Sequence, residues 1–424
     1  MEKMWTMNDE GRKKEIGKLI RFYRIESYNR TKCKAFLQKN FIIENDTYIS
    51  SRKTLINIEN GIPSRCNEYY YKYAEKIDKN IVFSRKLEKI FDKIIDLIFN
   101  NLNGDKNEEE LIKQYKILDK YMNYENFLYY EEMKKIIDLL YYKITKNRII
   151  GVNDYIYQSK IKAVFENKIL QLILFLISEF ELYFSIKSTL ASFFENKDEI
   201  DSSYIQYVTL INYYMSIYDL KRVKNLLIEF DSKNIGLNTV KRKEYIRMVK
   251  LFLNINSQSI KIKNLDIMKE NSKNSFENVC SLHYYSIYLI LKNELEDAIK
   301  ILEDLLAIQR GIYSFPTTIY LLIALNLQKE KNITKIKKCI VYLKKISNTI
   351  FVMFNFIISY FDMVYLDNID EKDSGEYIVS NVDCIINSRE YYTTIFKHEI
   401  LDLVSKSKNY KQFYEFNKAM NHIN

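Results

Sequence analysis

The chain has 424 residues and a formal net charge of +10, long enough to bury a large core. Only 2 Pro and 8 Gly argue against a fold rich in hairpins and tight turns. Five scattered cysteines, Cys33, Cys66, Cys280, Cys339 and Cys384, have neither zinc-ligand nor redox spacing, which points to reduced thiols and a cytoplasmic location.

Taken in order, Ile16, Leu19, Ile20 and Tyr23 recur at helical spacing and predict a first amphipathic helix. Ala35, Phe36 and Leu37 suggest a second. Residues 51–59 read as a short third helix, with Ser50 or Ser51 as its cap. Leu55 and Ile58 are three apart and share its inner face. Asn60-Gly61 ends it and Pro63 blocks continuation. Tyr69, Tyr70, Tyr73, Ala74 and Ile77 suggest a fourth. Three charges in the third helix oppose its macrodipole: Arg52 and Lys53 in the first turn and Glu59 in the last. A phosphate at the helix N-terminus would offset the first two of these, and a plainly solvated turn is the alternative.

The run Ile16-Gly17-Lys18-Leu19-Ile20-Arg21, followed by Ser51-Arg52-Lys53-Thr54-Leu55 and Ile58-Glu59-Asn60-Gly61, resembles an XRE-type helix-turn-helix. The resemblance covers about the first 80 residues and implies that helix 51–59 reads double-stranded DNA. Arg52, Lys53 and Asn57 would face bases or phosphates, since Arg and Lys suit guanine edges and Asn suits adenine. Ser51 and Thr54 would touch phosphate or pack. Residues 38–49 are longer than the usual three- or four-residue turn, so either the second helix is extended or an extra turn is inserted. Residues 1–80 hold 17 Lys and Arg against 11 Asp and Glu, a basic concentration that suits nucleic acid.

Residues 81–100 read as one amphipathic helix with Leu87, Ile90, Phe91, Ile94, Ile95 and Ile98 as its stripe. It is expected to be a linker helix over 81–103, broken by Asn103-Gly104-Asp105. Beyond it helices come in pairs: 204–218 with 220–230, 279–291 with 295–308, 317–327 with 333–346, and 395–405 with 410–420. The spacing approaches a 34-residue helix–turn–helix unit. The copy around Tyr284 to Leu302, with the small Ala298 between its helices, resembles a tetratricopeptide repeat. The expected architecture is therefore all-α: a helix-turn-helix domain over 1–80, the linker helix, and an α-solenoid of tetratricopeptide-like pairs over 104–424. A helical bundle without true repeats is the alternative.

That architecture resembles the RRNPP regulators of Gram-positive bacteria (Rgg, PlcR and PrgX types), cytoplasmic transcription regulators that bind short signalling peptides in quorum sensing. The resemblance implies asparagines that clamp a peptide backbone on a concave face. Asn212, Asn326 and Asn355 are the candidates, each flanked by apolar or aromatic residues. At least two of them are expected to open onto one common surface. A homodimer is expected because one short helix reads few base pairs, with the stripe at 87–98 or the helices at 395–420 as contacts. The competing reading is a protein-interaction scaffold in which the helix-turn-helix is a structural cap.

No phosphate loop, nucleophile elbow or metal-ligand spacing is present, so no cofactor and no enzyme activity is expected. His283, His398 and His422 stand alone. Glu108-Glu109-Glu110 and Glu131-Glu132 read as solvated helix faces. Residues 169–186 and 351–366 are apolar, but Glu179, Glu181 and Asp362 interrupt them, which suits buried helices better than membrane spans. The charged N-terminus does not read as a signal peptide.

Overall fold

The computed structural model describes residues 10–103, 107–121, 127–146, 149–186, 188–194, 203–233, 240–256 and 275–421. Among them the fold is all-α apart from one small hairpin, and no helix is long and apolar enough to cross a membrane. Gly104, Asp105 and His422 lie outside the described residues. The chain divides into two units, Met1–Ile177 with Ser203–Gln206, and Ser178–Ser202 with Tyr207–Asn424.

The first unit begins with α1 (Glu10–Thr31), a single 3-10 turn (Lys34–Phe36) and the one-turn α2 (Gln38–Phe41). A hairpin of β1 (Ile43–Glu44) and β2 (Thr47–Tyr48) follows, then α3 (Arg52–Glu59) and α4 (Glu68–Glu75). The second predicted helix is thus split in two, and the long segment before Ser51 is filled by an antiparallel hairpin that pairs Ile43 with Tyr48. Its two-residue loop places Asn45 at φ 48° and Asp46 at φ 61°. Both lie in the left-handed region that a type I′ turn requires and that Asn and Asp tolerate. Lys76 donates its ammonium to the Ile43 carbonyl and ties the hairpin to α4.

Ile16, Leu19 and Ile20 of α1 are fully buried, as are Leu55 of α3 and Tyr70, Tyr73 and Ala74 of α4. The helices α1 and α3 approach so closely that a Cβ on Gly17 would lie 2.1 Å from the Ile58 carbonyl oxygen. Only glycine fits there.

The unit continues through α5 (Arg85–Asn103), α6 (Glu108–Tyr121), α7 (Leu128–Lys146), α8 (Val152–Ile161) and α9 (Asn167–Tyr183) as far as Ile177. Leu87, Phe91, Ile94, Ile95 and Ile98 of α5 are buried, and the helix packs against α6 and α7. It is therefore a core helix of a unit that extends to Ile177, not a linker after residue 80. Its stripe is consumed inside the chain and is closed to a dimer contact. Glu132 also departs from expectation: it is fully buried, accepts from the Tyr23 hydroxyl and from Lys135 at 2.8 Å, and leaves Oε2 without a partner. Burial raises its pKa. A helical stripe count treats Glu132 as surface because its apolar cover comes from other helices.

The second unit holds the rest of α9 from Ser178, α10 (Ala191–Phe194), α11 (Tyr204–Ser216) from Tyr207 on, α12 (Leu220–Ser232), α13 (Val240–Asn256), α14 (Phe276–Leu291), α15 (Leu295–Ile308) and α16 (Phe315–Leu327). It closes with α17 (Ile333–Ile346), α18 (Val352–Tyr365), α19 (Glu371–Ser380), α20 (Val382–Ile386), α21 (Glu390–Ser407) and α22 (Tyr410–Asn421). From α13 to α19 each helix packs on the next, and α14, α16 and α18 also touch one another in sequence. Ala298 is fully buried on α15, next to α14 and α16. The run does not stay open, because α21 packs back on α13 and α14. Tyr245, Tyr284, Tyr320, Tyr360 and Tyr392 fill the space between, each no more than 3% exposed. Their rings add buried apolar area, and burial leaves each hydroxyl needing a partner.

Candidate nucleic-acid interface

Ser51 sits in extended geometry before α3, and its hydroxyl oxygen accepts from the Thr54 backbone N–H at 3.1 Å. Ser51 Oγ and Thr54 Oγ1 are a further 2.9 Å apart. Ser50 is turned inward and shares a 2.6 Å hydrogen bond with the Tyr73 hydroxyl. At the other end Gly61 adopts φ +77° and stops the helix. Of the eight residues of α3, Leu55, Ile58 and Glu59 face the core. Residues 52, 53, 56, 57 and 60 form the opposite stripe, with Arg52, Lys53 and Asn60 exposed and Ile56 and Asn57 half-buried.

The adverse charges at the two ends of α3 meet different fates. Glu59 is 2% exposed, and Arg24 of α1 grips it with Nε on Oε1 and Nη2 on Oε2 at 3.0 Å. Gln38 adds a 2.8 Å bond to the same carboxylate, and Arg24 also donates to the Phe36 carbonyl at 2.8 Å. The conflict of a carboxylate with the helix C-terminus is thereby offset inside the fold. Arg52 and Lys53 have no such partner: no carboxylate of the described residues pairs with either. The Asn57 amide likewise makes no hydrogen bond within the described residues, although its carbonyl accepts from Asn60 and Ile62.

The sequence reading therefore places Ser51, Arg52, Lys53, Thr54 and Asn57 on one short helix, and the first three are exposed together at its N-terminal end. Thr54 is half-buried and serves the cap. The reading missed two features. The hairpin was legible as Asn-Asp between two alternating pairs. The Arg24–Glu59 pair was legible as a cation continuing the buried 16–20 stripe at i+4.

The three asparagines do not come together as an open clamp. Asn212 is fully buried, donates to Ser178 Oγ at 3.4 Å and accepts from the Tyr245 hydroxyl at 2.8 Å. Asn326 is 3% exposed, donates to Glu399 at 3.0 Å and accepts from Lys331 and Tyr365. Asn355 is half-buried, accepts from the Ser347 hydroxyl at 2.6 Å and donates to the Asn348 carbonyl at 2.7 Å. Buried amides need partners, and here the fold supplies them. The expectation that two of the three open onto a common surface is corrected accordingly.

The chain matches no family model, no curated protein and no solved structure.

Proposed function

We propose that this protein is a cytoplasmic DNA-binding transcription regulator in which α2 and α3 act as a variant XRE-type helix-turn-helix with a hairpin in its turn. In this reading α3 enters the major groove. Arg52 and Lys53 meet phosphate or guanine, and Asn57 meets adenine. The run from α13 to α19 is read as degenerate tetratricopeptide-like pairs that regulate the head. One observation carries the proposal. Of the three charges set against the α3 dipole, the chain neutralises Glu59 with Arg24 and leaves Arg52 and Lys53 exposed without a carboxylate. A phosphate backbone is the partner that satisfies both those side chains and the free N–H groups of the first turn. A homodimer belongs to the same reading. With the α5 stripe buried, the C-terminal helices at 395–420 remain as the contact, and there Tyr410 and Tyr414 of α22 are 70% and 67% exposed.

The test is fluorescence anisotropy of the full chain on random-sequence duplex DNA across a salt series, with sedimentation in parallel. Arg52→Ala and Lys53→Ala should each weaken binding and reduce the salt slope by about 1. Thermal stability should stay unchanged or rise by a few tenths of a kcal/mol, roughly. Parental affinity and slope in both variants would remove α3 as the reading helix. A strictly monomeric chain at micromolar concentration, with and without DNA, would remove the dimer.

A further inference from the structure

The second unit contains a half-open cavity of about 580 Å³ between the residues after α9, the end of α11, the start of α18 and the α20–α21 junction. Phe184, Phe351, Phe354 and Tyr392 make its walls apolar and aromatic. Its rim carries Ile217 and Val352, 36% and 64% exposed. Arg389 also lines it, directly before the first turn of α21, and is only 5% exposed.

The partners of Arg389 are unusual for a buried guanidinium. It donates to the Leu182 carbonyl at 3.0 Å, to the Tyr391 hydroxyl at 3.2 Å and to the Tyr284 hydroxyl at 3.5 Å. No carboxylate pairs with it among the described residues. The phenols cannot supply the charge, because burial pushes Tyr284 well above its ordinary pKa and keeps it neutral. A buried cation is retained at low cost only when paired. The dipole of α21 adds further positive potential on the same side. Ser185 presents a second unmet group: it lines the cavity, and its hydroxyl is buried without a partner. The single carboxylate in the lining, Asp383, is exposed to solvent and does not contact Arg389.

We infer that this cavity is a binding site for a small organic carboxylate with an aromatic or branched apolar body. The acid group would pair with Arg389 and accept from Ser185, and the body would lie among Phe184, Phe351, Phe354 and Tyr392. The volume suits one compact ligand. The inference does not depend on the DNA-binding reading, and its test needs no DNA.

Calorimetric titration of the full chain with phenylacetate, and with phenylacetamide as its neutral isostere, reads the site directly. The acid should bind at least about tenfold more tightly than the amide, because a buried cation left unpaired discriminates strongly. Arg389→Met should erase that preference. Ile217→Trp blocks the rim from an exposed position and should weaken the acid by about tenfold or more without touching the guanidinium. This second variant keeps the test decisive if Arg389→Met does not fold. Equal affinity for acid and amide, no binding of phenylacetate at millimolar concentration, or parental affinity in Ile217→Trp would each overturn the assignment.

Discussion

Arg24 of α1 and Glu59 of α3 tie these two helices together with a buried ion pair. Both are buried, and among the described residues each is the other's only counter-charge at bonding distance. Replacing Arg24 by Met should destabilise the chain by about 3–5 kcal/mol, because Glu59 is left charged and enclosed. The double variant Arg24→Met with Glu59→Leu should recover most of that loss. Urea denaturation of the two variants checks this, and equal losses would mean that the pair itself is not what matters. His283 gives a second prediction at this scale. It is 3% exposed, its Nε2 lies 2.7 Å from Thr317 Oγ1, and burial with the nearby Arg389 lowers its pKa to about 3. Thr317 donates its own proton to Gln309, so His283 is the donor in the pair. The folded ring stays neutral below pH 6.5 while the unfolded ring takes up a proton. Stability should therefore fall as pH drops from 6.5 towards 3, with a contribution of about 1.4 kcal/mol per pH unit. His283→Gln should flatten that part of the profile, measured as urea midpoints at several pH values. An unchanged slope would show that the ring titrates normally.

Among the elements, α3 was the most legible in sequence and α2 the least. Ser51, Leu55, Ile58 and Gly61 carry local signals, a cap, an inner face and a stop, that need no distant partner. By contrast, α2 is one turn long, and its fate was decided by the hairpin that follows. The contact of α1 with α3 was half legible. Gly17 lay inside an amphipathic pattern, but its reason, the Ile58 carbonyl, is 41 positions away in sequence and reachable only in three dimensions. Gly17→Ala should gain about 1 kcal/mol of helix propensity and lose more to the clash with backbone. The expected net loss is about 1–2 kcal/mol. A thermal melt that rises for this variant would show that α1 and α3 have room to separate. The asparagines failed for the same reason that Gly17 was opaque. Periodicity says that Asn326 lies on an apolar helix, yet its partner Glu399 comes from five labelled elements further on, α16 to α21.

For the molecule as a whole, helical class was legible throughout, and the grouping of helices was not. Apolar spacing marks which face of α5 is covered without saying that α6 and α7 cover it. The same ambiguity hid the return of α21 onto α13 and α14. The placement of α1 has a practical consequence for anyone cutting the gene. This helix serves α3 and α4 with one face and is held from the other by later residues. Arg12 lies 3.6 Å over the Tyr129 ring, Tyr23 donates to Glu132, and Phe22 meets Tyr157 edge-on. A fragment of residues 1–80 would leave those aromatic groups wet and should be a sticky, dye-binding species instead of a soluble mini-protein. A fragment carried to Ile177, where the first unit ends apart from Ser203–Gln206, should express more cleanly and give a cooperative melt. Anilinonaphthalene sulfonate fluorescence on the two fragments distinguishes the cases. If the short one proves dark, soluble and cooperative, α1 leans on its later neighbours for orientation alone.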